Sequence, residues 1–323
     1  MHSSFEKRLN WLTALAAIGL SVIVMWPSAA HGREPGTKSQ GDSASYRLGC
    51  QQSSKGDFEV SPKFRISAAP RGERPKRLIL TEFLPPVGNQ GGQGSCVGWG
   101  TAYSCFTYLV AKQRKLDPSV LSQAGWQFSP AFLYNQVNNG QDKGTNIASA
   151  LLFLTKKGCA TLAEMPYNDR DFTSQPSDAA SARALRYKID SNKVACLAYR
   201  PDKPLNIEAL KTYLAECRRP FPMSFWVFED FQSQSHVDAN YVYNHTTGKG
   251  LGGHCLAVIG YDDDLHALRI RNSWGPQWGD NGDLWISEDY ATQNYRDAWG
   301  FVPGGPVARG GHVHVDYPAG GTK

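Results

Sequence analysis

The sequence predicts an α+β fold. Two observations carry that reading. Residues 81–303 are dense in apolar and aromatic side chains, and their patterning switches from helical spacing in the first half to short β-branched and aromatic runs in the second. A chain of 323 residues with 41% hydrophobic and 20% charged side chains can bury a sizeable core, which excludes a disordered protein. Its charge is uneven. Residues 1–30 carry +1 and residues 31–80, with ten basic and five acidic side chains, carry +5, so the net +5 leaves residues 81–323 at −1. A near-neutral folded part argues against a nucleic-acid surface.

Taken in order, the chain opens with Lys7 and Arg8 before an uncharged apolar run, Trp11–Trp26, closed by Pro27-Ser28-Ala29-Ala30. This pattern predicts a signal peptide over 1–30, cleaved before His31, and an exported protein, periplasmic or extracellular, with no stable membrane insertion. A retained signal anchor is the alternative, because a run of 16 is near the lower limit for spanning a bilayer. Seven cysteines, Cys50, Cys96, Cys105, Cys159, Cys196, Cys217 and Cys255, suit an oxidising compartment and up to three disulfides. The odd count leaves one thiol over, and no CxxC pair supports a zinc site. Residues 31–80 are polar, basic and proline-containing, and read as a linker or a short pro-segment. Residues 304–323 read as a flexible Gly-rich tail.

Three helices are expected: Cys96–Lys112 behind Ser95 as N-cap, Asn146–Lys157 stopped by Gly158, and Asn206–Arg218 ended by Pro220. On the first, Cys105 lies nine residues past Cys96, half a turn away at α-helical spacing, which places it on the opposite side. Four strands follow: Met223–Phe228, Cys255–Tyr261, His266–Arg271 and Asp283–Ser287. Asp262-Asp263-Asp264 between two of them reads as a solvated turn rather than a cation site.

The chemistry gathers in three separated blocks: Asn89-Gln90-Gly91-Gly92-Gln93-Gly94-Ser95-Cys96, then Gly252-Gly253-His254, then Asn272-Ser273-Trp274-Gly275 continuing to Gly282. A cysteine at a helix N-terminus sits in the positive end of the dipole, and an imidazolium beside it favours the thiolate that attacks carbonyls. Blocks of this content in this order resemble the papain family of cysteine peptidases, over roughly residues 81–303. The resemblance implies a two-lobed fold, a helical lobe and an antiparallel β-barrel-like lobe with the active-site cleft between them. It implies Cys96 as nucleophile, His254 as acid and base, Asn272 orienting the ring, Trp274 shielding that bond and Gln90 in the oxyanion hole. Extended substrate would bind along Gly144 and Thr145, and Trp226 falls near the main specificity pocket, or else in the barrel core.

The sequence departs from the family pattern. Gln93 stands where a cysteine usually staples the active-site loop, Val97 replaces an aromatic, and Gly98 and Gly100 weaken the helix after the nucleophile. His254 and Asn272 lie 158 and 176 positions after Cys96, beyond the family's usual spacing. The expected function is an exported peptidase acting through a Cys-His-Asn triad and an acyl-enzyme thioester on protein or peptide substrates, with no metal or organic cofactor. The alternatives are a transamidase using the same triad and an inactive papain-fold binding protein. Residues 31–77 are too short and too rich in proline for the family's helical inhibitory propeptide. They are therefore expected neither to inhibit nor to be needed for catalysis, with Arg71, Arg74, Lys76 and Arg77 free to meet solvent or an anionic surface.

Overall fold

Short polar side chains start the helices where the sequence asks for them. A computed structural model describes residues 46–60, 63–64, 74–200, 204–304 and 315–316; the signal-peptide expectation and Arg71 lie outside them. The α-helices are α1 (Lys55–Val60), α2 (Cys96–Gly98), α3 (Thr107–Arg114), α4 (Pro130–Val137), α5 (Ile147–Lys157), α6 (Asp178–Ala184), α7 (Ile207–Cys217), α8 (Glu229–Gln232) and α9 (Glu288–Asn294). The Asn146 side chain accepts from the Ser149 N–H at 2.8 Å to start α5, and Gly158 ends it at φ +70°. Asn206 caps α7 in the same way. That helix stops at Arg218 in the left-handed region, before Pro220 is reached.

The strands are β1 (Lys63–Phe64), β2 (Arg77–Ile79), β3 (Ala195–Tyr199), β4 (Phe221–Phe228), β5 (Val242–Tyr243), β6 (Gly250–Asp262), β7 (Ala267–Arg271), β8 (Asp283–Ser287), β9 (Tyr295–Gly300) and β10 (Val315–Asp316). Among the described residues they form one sheet in the order β10-β1-β3-β9-β4-β6-β7-β8-β5, with β2 on β6. The expected antiparallel barrel is corrected here. The sheet is open, and it is mixed because β1 joins β3 and β5 joins β8 in parallel. Val315 and Asp316, expected in a flexible tail, pair with β1.

One nearly continuous helix packs against the central strands, but its middle, Trp99–Phe106, is a π-helix. At i→i+5 bonding its turns are wider than α turns, so nine residues bring Cys105 back toward the face of Cys96. These wider turns correct the opposite-side expectation, and beyond burial Cys96 and Cys105 both raise the titration of Cys255 on β6. The glycines permit that close packing: a Cβ on Gly98 would meet Pro130 O at 2.8 Å, and one on Gly100 would meet Cys255 Sγ at 2.9 Å. All seven cysteines are buried free thiols, so the structure contains none of the expected disulfides.

The basic residues ahead of β2 are not free. Arg74 binds Asp263 at 2.7 Å and Glu208 at 2.8 Å, Arg77 pairs with Asp262, and Lys76 reaches Asp264 at 3.5 Å. Asp263 also meets the buried Lys211 at 2.9 Å. The aspartate turn is thus answered by protein cations, although Lys76 and Arg77 stay largely exposed.

Candidate active site

The loop before Cys96 is fixed by backbone bonds to the Asn272 block. Gln90 N–H donates to Ser273 O at 2.8 Å and Gly275 N–H donates to Gly88 O at 3.0 Å. Ser273 Oγ donates to Gln90 Oε1 at 2.6 Å, which occupies the amide oxygen, while Nε2 donates to Gln93 O at 2.8 Å. Gln93 Nε2 donates to the carbonyls of Asn168 and Asp171 at 3.3 and 3.2 Å, and Gly92 N–H donates to Asp169 at 3.0 Å. Hydrogen bonds therefore staple this loop where the sequence lacks the expected cysteine. Ser95 precedes the helix but makes no side-chain cap bond; its hydroxyl meets Tyr167 OH at 2.7 Å.

His254 opens the buried part of β6. Its Nε2 donates to Asn272 Oδ1 at 2.8 Å, since the same oxygen also accepts from Ser273 N–H. That tautomer leaves the lone pair on Nδ1, a buried nitrogen with no hydrogen-bond partner. Trp274 stacks on the imidazole with ring centroids 4.4 Å apart, and Trp278 packs edge-on against Trp274. The backbone N–H of Cys255, next to His254, acts on the Cys96 thiol and lowers its titration, so the cysteine and histidine blocks meet.

Cys96 and His254 have no exposed surface, and the covering chain is the protein's own. Tyr46 stacks flat on Trp274 with centroids 4.6 Å apart. Gln90 Nε2 donates to Arg47 O at 2.8 Å. Gly49 O accepts from Thr145 N–H at 2.9 Å and Gln51 N–H donates to Thr145 O at 2.8 Å, so Cys50 pairs with Thr145 in parallel. Cys50 N–H donates to Gly253 O at 3.0 Å, and Arg296 Nη1 donates to Cys50 O at 2.8 Å. Ser53 then donates from its N–H and hydroxyl to the buried Asp297. Glycines make the passage possible: a Cβ on Gly49 would lie 1.9 Å from Gly94 O, and one on Gly144 would lie 2.0 Å from Gly49 O. The expectation of a solvated spacer fails for residues 46–53, because an extended strand needs no helical apolar stripe to dock.

The description "Papain family cysteine protease" matches residues 80–297 of this chain. The chain belongs to the papain family. Papain-family relatives include the cathepsin B-like CP3 of Giardia intestinalis, 30% identical over 210 residues, 62% of this chain and 63% of that one. Cathepsin B of Dictyostelium discoideum is 27% identical over 219 residues, 63% of this chain and 65% of that one. The chain thus spans just under two thirds of the length of these two curated relatives. Xylellain, a cysteine protease from Xylella fastidiosa, superposes with a TM-score of 0.62 at 25% identity, covering 80% of this chain and 96% of that one. A procathepsin B from Trypanosoma congolense shares the fold at TM-score 0.59 and 19% identity, covering 80% and 87%.

In this papain-family chain burial sets the charge state of the pair. Desolvation pushes the Cys96 thiol well above its usual range and the neighbouring Cys50 adds to this, against the N–H groups of Cys255, Gly49 and Val97. Desolvation lowers His254 to about 4, outweighing its bond to Asn272. Burial therefore opposes the thiolate–imidazolium pair expected from sequence for as long as the site is covered. Trp226 is 43% exposed, which excludes the core reading, and the Arg296 guanidinium lies 5.8 Å from its ring centroid. Sequence reasoning missed Ser273, Arg296, Asp297 and the strand 46–53. The signal available for the last was the cluster of larger apolar side chains, Tyr46 and Leu48, around Gly49 in an otherwise polar stretch.

Proposed function

We propose that this chain is an exported cysteine peptidase held in a latent form by residues 46–53. The observation that carries the reading is the grouping of Gln90, Cys96, His254 and Asn272 under a strand that runs through the site. His254 Nδ1 takes the Cys96 proton, and the thiolate adds to a peptide carbonyl carbon. The oxyanion is held by Gln90 Nε2, the donor that now serves Arg47 O. Nδ1 returns its proton to the leaving amine as the thioester forms, then takes one from water to hydrolyse it. Asn272 holds the ring throughout, and Trp274 keeps water from that bond.

The latent strand runs in the wrong sense for cleavage. Its parallel pairing with Thr145 sends Tyr46 to Trp274 and Ser53 to Asp297, and its carbonyl at Gln90 belongs to Arg47. Thr145 and Gly144 are the edge along which substrate would pair once the strand leaves. Export is supported by the charged, apolar and small-residue order of residues 1–30.

The test is hydrolysis of a peptide library by Cys96→Ala, His254→Ala and Asn272→Ala chains. The first two are expected to show no turnover with the fold intact, and the third to retain measurable turnover, because Asn272 orients and does not react. Full activity in Cys96→Ala would sink the reading.

A further inference from the structure

Asp297, Ser224 and Cys255 form a row across β9, β4 and β6, since Ser224 registers with both of the others. The latent strand lies along this row, with Ser53 on Asp297 and Cys50 N–H on Gly253 O. Gly253 and Cys255 are two residues apart and share a strand face. A Cβ on Gly253 would sit 2.0 Å from Cys50 O, so that face looks onto Cys50. The thiols of Cys50 and Cys255 lie close enough to shift one another's ionisation. Both are buried. The Cys96 thiol is raised by burial and by its neighbour Cys50, and lowered by the backbone N–H groups of Cys255, Gly49 and Val97. Arg296 and Thr145 hold the main chain at and on either side of Cys50, which fixes this segment against β6.

We propose that Cys50 and Cys255 are an oxidisable pair whose disulfide fastens residues 46–53 over the site, a reading that rests on the latent form above. The oxidant is a small disulfide such as oxidised glutathione. With the strand open and Cys50 in water, its thiolate attacks one sulfur of the oxidant, forming a mixed disulfide and expelling one small thiolate. Closure brings Cys255 to the Cys50 sulfur, and its attack expels the second small thiolate. Two cysteine thiols lose two electrons and two protons; the small disulfide gains both and leaves as two thiols. Cys96 takes no part, so its nucleophile is kept intact. A dithiol reductant reverses both steps. The linkage converts a noncovalent strand into a tethered one, which raises its effective concentration at the site.

The test equilibrates the full chain in glutathione buffers from reducing to oxidising, then blocks thiols with iodoacetamide under denaturing conditions. Peptide mapping should find Cys50 joined to Cys255 on the oxidising side, with Cys96 alkylated. Peptide hydrolysis by the oxidised chain should fall at least about tenfold below that of the reduced chain and recover with dithiothreitol. The Cys50→Ser chain should form no such link and leave Cys255 alkylatable throughout. Cys50 joined to Cys96, or Cys50 and Cys255 alkylated in every buffer, overturns the proposal and leaves the latent form standing. A Cys50–Cys255 link with an unchanged rate overturns the fastening together with the latent form beneath it.

Discussion

At His254 a fully buried imidazole gives up its charge to stay buried, and that has a consequence in pH. Its value of about 4 lies below the ordinary 6.5. Between these values an opened or unfolded site binds a proton that the covered site does not. The covered form is therefore fully stabilised by this group above pH 6.5, and that stabilisation is lost as pH falls toward 4, at most about 3 kcal/mol. Cys96 alkylation by iodoacetamide should accordingly accelerate in acid relative to a free-thiol control, as the strand lifts. A His254→Gln chain should lose this acid response; an undiminished response would assign it to another group. Gln90, Cys96, His254, Asn272 and Trp274 were legible because each sits in a short block with its own signature. Ser273 on Gln90 and Tyr46 on Trp274 were not, because the fold joins residues separated by more than 180 positions in the chain. The burial that raises Cys96 and lowers His254 was not legible either, since cover by another segment leaves no local trace in sequence.

At the scale of elements, the helix carrying Cys96 shows where period reading succeeds and where it fails. Its end at Arg114 falls two residues past the expected Lys112, and its start at Cys96 follows from the sequence. The π-helical middle does not, because it serves packing against β6 rather than local propensity, and Cys105 was misplaced for that reason. Gly100 decides between the two influences. Alanine there gains about 1 kcal/mol in helix propensity. Its Cβ would meet Cys255 Sγ at 2.9 Å, and overpacking costs typically about 1–3 kcal/mol. Packing should win, so Gly100→Ala should lower the thermal midpoint; a higher midpoint would show that the helix relaxes freely. Helices α5 and α7 were legible through Asn146, Gly158 and Asn206, whose cap bonds are local. Strands β3 and β9, including Asp297, were missed because their pairing is long-range and their sequences lack strict alternation.

Over the whole molecule, two polar regions of opposite sign have partners within the chain. In the basic region leading into β2, the bases at 74–77 each meet an acid of the β6–β7 turn, where Asp263 also meets Lys211. The segment before it, read as a spacer, supplies the strand that fills the site. Both assignments depend on contacts across most of the chain, which composition does not encode. In the proposed latent form the same segment covers the candidate site, and Gly49 passes Gly94 at a separation no Cβ permits.

Gly49→Ala in the full chain therefore tests the latent form most directly, because it removes no catalytic group. The measurement is the rate of peptide hydrolysis at neutral pH beside the rate of Cys96 alkylation. Displacing the strand by about 1–3 kcal/mol should raise both rates roughly 5- to 150-fold over the unaltered chain. Equal rates in the two chains, with Cys96 already reactive before the substitution, would contradict a site closed by its own residues 46–53.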